Sequence, residues 1–168
     1  ELFLDPTPAT RTDIPVTLTD GLSVMLHEIG HALGFIGYYR EADNTFDFAS
    51  KTLYDYRLTT VAGEAFFDGP NVRKLTGAAI PLTDSNYAHY GNSSAFPGTS
   101  ADPLLGLMNG VVFYRGYAYS IGELDLAVLA DTGLGTIRDD ILDIPFLASM
   151  RGGAGNDVIT GGSIANQL

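Results

Sequence analysis

His27 and His31 stand four residues apart, with Glu28 beside the first, in the stretch HEIGHALGF (residues 27–35). They are two of only three histidines in the chain. On an α-helix, side chains at i and i+4 share a face, with Cβ atoms about 5–6 Å apart. Two imidazoles so placed can fill two corners of a tetrahedral zinc site, at about 2.0–2.1 Å from the metal. Glu28 lies too far round the helix to ligate with them, and can instead reach a water at the metal. That is the general-base arrangement of HExxH zinc hydrolases. The competing reading is a pair of ordinary polar residues on an amphipathic helix. The apolar surroundings favour the metal, because polar groups on a mostly buried face are costly unless paired.

The chemistry requires a helix, and the pattern supplies one. Leu22, Leu26, Ile29 and Leu33 recur at spacings of four and three, so they predict one core-facing stripe. Thr19 or Asp20 can cap its start, and Gly34 can end it in a left-handed conformation. Before it, Glu1 to Leu4 suggests a short strand, and DPTPATRTDIP reads as an extended loop. After it, TLYDYRLTTV suits a strand or a short helix, and AFFDGPN contains a turn. DSNYAHYGNSSAFPGTSADP reads as a loop or series of turns, and VVFYRGYAY as a short strand pair around Gly116. SIGELDLAVLADTG predicts a buried helix, with Ser120 and Glu123 as a capping box and Gly133 as its end.

Composition narrows the function. The 168 residues suit one domain with its own core. The formal net charge of -11 argues against nucleic acid as a partner, because phosphate binding needs a positive face. There is no cysteine, which excludes disulfides and thiolate chemistry. No apolar run approaches the roughly 20 residues of a membrane span. The chain opens on Glu1 and carries no visible signal peptide, so it reads as a piece or processed product of a longer protein.

HEIGHALGF resembles the zinc helix of the metzincin peptidases, whose pattern is HExxHxxG followed by a third histidine. The usual place for that histidine is here Gly37, which cannot ligate through a side chain. The leishmanolysin-like branch carries an insertion before it. That resemblance, with only one histidine left in the chain, makes His89 the third ligand. Glu123 and Asp125 are the carboxylate rivals, although Glu123 is better explained by the capping box. The resemblance also implies a tight turn with a methionine beneath the metal, and Met108 follows His89 in the right order. Tyr114 stands too far beyond Met108 to match the oxyanion-stabilising tyrosine of some metzincins, and reads as a core residue. The helix after it is similar to the closing helix of the bacterial members. The resemblance covers Asp5 to about Leu134. It implies a secreted, extracellular bacterial endopeptidase acting on protein or peptide substrates, with Zn²⁺ as cofactor and Glu28 as general base. It also implies an α+β fold whose N-terminal sheet is largely missing here, since only about twenty residues precede the zinc helix. The alternative is a catalytically inactive metal- or calcium-binding module of a larger RTX or adhesion protein. A third reading is a zinc hydrolase acting on a non-peptide substrate.

Residues 1–138 thus read as the peptidase-like domain, 139–150 as a linker and 151–168 as a different element. GGAGNDVIT, Gly152 to Thr160, resembles the calcium-binding nonapeptide of RTX proteins. That likeness implies a β-helix turn in which Gly153, Gly155 and Asp157 belong to a Ca²⁺ site and Ile159 faces a narrow core. In the next repeat Ile164 replaces the glycine and Asn166 the aspartate. One intact repeat and one degenerate one predict a weakly ordered tail, with calcium affinity of about 10⁻³ M or worse.

Overall fold

Asp20 starts the helix that carries the histidine pair, and its surroundings show how the N-terminal segment holds that helix. The computed structural model describes residues 1–40, 43, 45–46, 51–91, 106–111, 113–134, 141–144, 156 and 158–161. Strand β1 (Leu2–Phe3) pairs in parallel with β2 (Thr19–Asp20), and helix α1 (Gly21–Leu33) follows at once. The Asp20 carboxylate accepts from Ser23 N at 3.0 Å, Leu22 N at 3.4 Å and Ser23 Oγ at 2.6 Å. Arg11 reaches across and donates to Asp20 Oδ2 at 2.5 Å, to Ser23 Oγ at 2.9 Å and to the Tyr119 carbonyl at 2.7 Å. One guanidinium therefore ties the N-terminal loop, the start of α1 and the chain just before the last helix into a single knot. Gly21 is required where α1 leaves β2 and passes β1, because a Cβ there would stand 2.7 Å from Leu4 Cδ2 and 2.9 Å from the Phe3 carbonyl oxygen.

The face of α1 differs from the expected one. Leu26 packs on the core, but Ile29 and Leu33 are 48% and 47% exposed. The buried positions are Gly21, Ser23 and Gly30. The inward stripe is built from small and polar residues because the Arg11 network and the histidine cluster occupy that side, so hydrophobic periodicity misplaces it. Gly34 does end the helix, its N–H bonding the Gly30 carbonyl at 3.1 Å, but its φ of 161° is not left-handed. What needs glycine there is the approach of Thr132, whose Oγ1 would lie 2.5 Å from a Cβ.

Beyond α1, β3 (Tyr39–Arg40) pairs antiparallel with β4 (Thr45–Phe46). A 3-10 turn (Asp55–Arg57) then leads into β5 (Leu58–Val61), so TLYDYRLTTV holds both elements offered for it. β5 and β6 (Glu64–Phe67) join through Ala62 and Gly63, both at positive φ, as a two-residue hairpin demands. Helix α2 (Pro70–Thr76) follows the turn in AFFDGPN, with Pro70 in its first turn, where a missing N–H costs nothing. β7 (Ile80–Thr83) and β8 (Asn86–Tyr90) complete a four-stranded antiparallel sheet in the order β5-β6-β7-β8. The stretch expected to be loop thus begins with a strand, and His89 is on it. The Asp84–Ser85 turn, with Ser85 at φ 62°, makes the hairpin possible.

Helix α3 (Glu123–Asp131) packs on α2. Its buried Asp131 caps α2, accepting from Asn71 N at 2.9 Å, Asn71 Nδ2 at 2.8 Å and Val72 N at 3.0 Å. The cap of α3 itself is not the expected Ser120–Glu123 box. Gly122 occupies the N-cap, and Asp125 accepts its N–H at 2.7 Å. Nor does VVFYRGYAY form a strand pair among the described residues. Gly116, at φ 72°, hydrogen-bonds the Leu18 carbonyl, so this segment lies against the N-terminal loop. The core joins Phe35, Tyr54, Phe67, Ile80, Leu82 and Val128 across α1, the sheet and α3. Among the described residues the architecture is α+β, with three helices and small sheets, and no helix is long and apolar enough to cross a membrane.

In the C-terminal part, β9 (Ile141–Ile144) lies in the stretch read as a linker, and it pairs in parallel with β10 (Val158–Gly161). Gly153, Gly155 and Asp157, the residues of the calcium reading, lie outside the described residues.

Replacing Asp20 by Ala removes the α1 cap and leaves Arg11 without its carboxylate. The expected loss is about 3 kcal/mol of unfolding free energy, read as a lowered urea midpoint at unchanged m-value. A loss under about 0.5 kcal/mol would show that the Arg11 knot does not hold the helix.

Candidate metal centre

The three histidines come from two elements and meet at one point. His27 and His31 lie on successive turns of α1, and His89 lies on β8. The Nε2 atoms of His27 and His89 are 3.0 Å apart, and those of His31 and His27 are 3.2 Å apart. Two nitrogens at about 2.0–2.1 Å from a tetrahedral zinc are separated by roughly 3.3 Å, so the spacing suits a divalent ion bound between them. Among the described residues this is the one group of three or more such side chains able to hold a metal.

The tautomers make the case stronger. His27 Nδ1 lies 2.8 Å from the Leu107 carbonyl oxygen, His31 Nδ1 2.7 Å from that of Phe35, and His89 Nδ1 3.3 Å from that of Asn86. A carbonyl can only accept, so each Nδ1 carries the proton and each Nε2 is left with a lone pair. The His27 Nε2 thus lies at contact distance from the Nε2 atoms of both His89 and His31, an arrangement that a shared cation relieves. The backbone carbonyls act as the outer-shell partners that orient metal-ligating imidazoles. Burial, then the neighbouring charges of His31 and His27, pushes the His89 pKa down to about 4, so its nitrogen stays unprotonated near neutral pH.

His89 reaches the site through an irregularity in the sheet. The β7–β8 register passes from Leu82 opposite Tyr90 to Thr83 opposite Asn86. One step along β7 thus matches four along β8, and Tyr87, Ala88 and His89 bulge from the ladder. Bulges commonly re-aim a side chain beside a functional site. The segment 106–110 braces this bulge. Tyr90 N donates to the Met108 carbonyl, and Gly110 N donates to the Tyr90 carbonyl. A Cβ on Gly110 would stand 2.8 Å from His89 Cβ, so only glycine lets the segment approach so closely.

Asp125 locks the arrangement from below. Its carboxylate accepts the Tyr90 hydroxyl and the Met108 N–H, the latter at 3.2 Å, in addition to capping α3. Burial raises its pKa above the ordinary carboxylate value, in opposition to these hydrogen bonds. Asp125, a rival ligand on sequence grounds, is thus consumed as a brace. Glu123, the other rival, is outside the histidine group as well. Met108 is only 1% exposed and belongs to the core beneath the histidines. Tyr114 is half exposed and does not line the cleft; its N–H donates to the Tyr119 hydroxyl.

Glu28 is exposed and opens onto a cleft of about 310 Å³ with His27 and His89 in its wall. Val24, Val111 and Phe113 give that wall its apolar part, and Asn86 and Asn109 its neutral polar part. Phe113 meets the His27 ring edge-on at 5.1 Å and stacks on Tyr119 at 4.6 Å. Sequence reasoning missed Phe113, Asn86 and the carbonyls of Leu107 and Phe35. A backbone carbonyl has no residue signature, and an aromatic in VVFYRGYAY is indistinguishable from a core residue. Compared with known protein families, curated proteins and solved structures, the chain has no match in any of the three.

Changing His89 to Ala removes one of three nitrogen donors. Zinc affinity is expected to fall by more than about 100-fold, beyond what an outer-shell change costs, as measured by chelator competition. Unchanged affinity would return the third place to a carboxylate. The metal-free protein has a further signature. His89 titrates near 4 when folded and near 6.5 when unfolded. The unfolded chain therefore binds more protons between those values, and stability falls as pH is lowered from about 6.5 to about 4. In His89→Ala this part of the urea-measured pH dependence should disappear; an identical profile would contradict it.

Proposed function

We propose that this chain is a zinc-dependent endopeptidase of the metzincin type, close to the leishmanolysin-like branch, and that it works outside the cell. The observation that carries the reading is the convergence of three bare Nε2 atoms beside a cleft onto which Glu28 opens. A zinc ion held by these three nitrogens would supply Lewis acidity and an acidified water.

The chain's own residues account for the rest. His27, His31 and His89 would hold the ion, their rings oriented by the Leu107, Phe35 and Asn86 carbonyls. Glu28, next to His27 but not among the ligands, takes the proton from the attacking water. It then delivers that proton to the departing amine, as a general base that becomes a general acid. The exposure of Glu28 suits this, because its carboxyl oxygens are accessible from the cleft. Val24, Val111 and Phe113 give one wall of the cleft an apolar face. Met108 supports the helix from the core. The electrophile such a site would act on is a peptide carbonyl carbon, with the C–N bond broken as the amine takes up the proton.

A second reading keeps the metal and drops the catalysis, making the chain an inactive metal-binding module of a larger protein. What favours it is that the sheet before α1 consists, among the described residues, of the two-residue β1–β2 pair. A longer edge strand is the usual way to hold an extended peptide.

Zinc-loaded protein should cleave casein or a mixed peptide library, and Glu28→Gln should lower the rate by about 10²–10⁴-fold while retaining its zinc. Equal cleavage by both proteins would remove Glu28 from the mechanism. Full zinc occupancy with no cleavage by the unaltered chain would favour the inactive module.

A further inference from the structure

Gly30 sits inside the histidine motif, yet neither ligation nor proton transfer uses it. Glycine is a poor helix former, and an interior helical glycine points to a packing reason. Here the reason is visible. A Cβ on Gly30 would stand 2.3 Å from Met108 Sδ, 3.0 Å from its Cε and 3.3 Å from its Cγ. Ordinary carbon contacts are about 3.5–4.0 Å, so the thioether rests directly on bare helix backbone. The contact point lies three residues after His27 and one before His31.

Met108 has little freedom to give way. It is buried, and its own N–H is held by Asp125. Its neighbour Leu107 supplies the carbonyl that fixes His27, and its carbonyl accepts from Tyr90, the residue after His89. The side chain that faces Gly30 is thus carried by a backbone tied both to the His27 tether and to the strand that carries His89.

We propose that Gly30 is a positioning residue of the metal centre. Its missing Cβ seats Met108 at the depth that brings the two helix ligands level with His89. This rests on the reading of the three histidines as a metal site, and concerns the geometry of that site, not its catalysis.

Cobalt(II) is the probe, because its visible absorption reports ligand geometry while its binding reports affinity. The chain is compared with Gly30→Ala, Met108→Val and the double variant. Valine lacks the δ and ε atoms that a new methyl at position 30 would strike. Gly30→Ala should shift or weaken the cobalt bands and lower affinity by about tenfold or more. The double variant should recover most of that loss, so the two changes are coupled. An unaltered spectrum and affinity in Gly30→Ala, or strictly additive effects, would overturn the proposal. If Gly30→Ala does not fold, the double variant decides. Folding restored with the original spectrum supports the contact, and no rescue refutes it. If the unaltered chain takes up no cobalt, the metal-site reading itself falls and this proposal with it; normal uptake with an indifferent Gly30→Ala removes only the proposal.

Discussion

Three imidazoles bring their ligand nitrogens within 4.8 Å of one another, and the fold has to hold them there. Each ring is fixed from behind by a backbone carbonyl, from Leu107, Phe35 and Asn86. These carbonyls belong to three different parts of the chain: the 106–110 segment, the end of α1 and the start of β8. The site is therefore not a property of the helix alone. It exists when the helix, the hairpin and the segment below them are docked together, and several buried polar contacts serve that docking. Arg11 and Asp20 fix the helix entry. Asp125 joins the hydroxyl of Tyr90 to the N–H of Met108, so the strand of the third ligand and the floor of the site move as one. Removing a partner from such a buried set leaves a donor or acceptor unsatisfied, which costs more than the bond contributed.

What the sequence revealed follows from how local each signal is. The His27–Glu28–His31 arrangement needs only helical periodicity, so it was legible. So were the closing helix, its end at Gly133 and the N-terminal loop. His89 was accessible only through the count of histidines and a family likeness, because its place depends on a three-residue bulge in a strand that polar, turn-rich sequence disguises. The buried side of α1 was misjudged for a related reason. Its inward positions are Ser23 and Gly30, residues that periodicity treats as neutral, whereas Ile29 and Leu33 are half exposed. Asp125 was visible as a carboxylate but not as a brace, since its partners lie 17 and 35 residues away.

Hydrolysis is the chemistry most consistent with this combination. A closed structural zinc site would use four protein donors, whereas this group has three histidines, two of which line a cleft that substrate or water can enter. Glu28 adds a carboxylate at the cleft that ligates nothing in the group. The wall formed by Val24, Val111 and Phe113 carries no formal charge. Glu28 is thus the one acidic side chain lining the cleft among the described residues, which suits a reaction at a neutral peptide bond.

The central claim is that the three histidines bind one metal through Nε2. X-ray absorption spectroscopy of the zinc-loaded chain tests it most directly. The account predicts one zinc per chain, with three imidazole nitrogens and one oxygen at about 2.0–2.1 Å. A shell dominated by carboxylate oxygens, or fewer than three imidazoles, would contradict it.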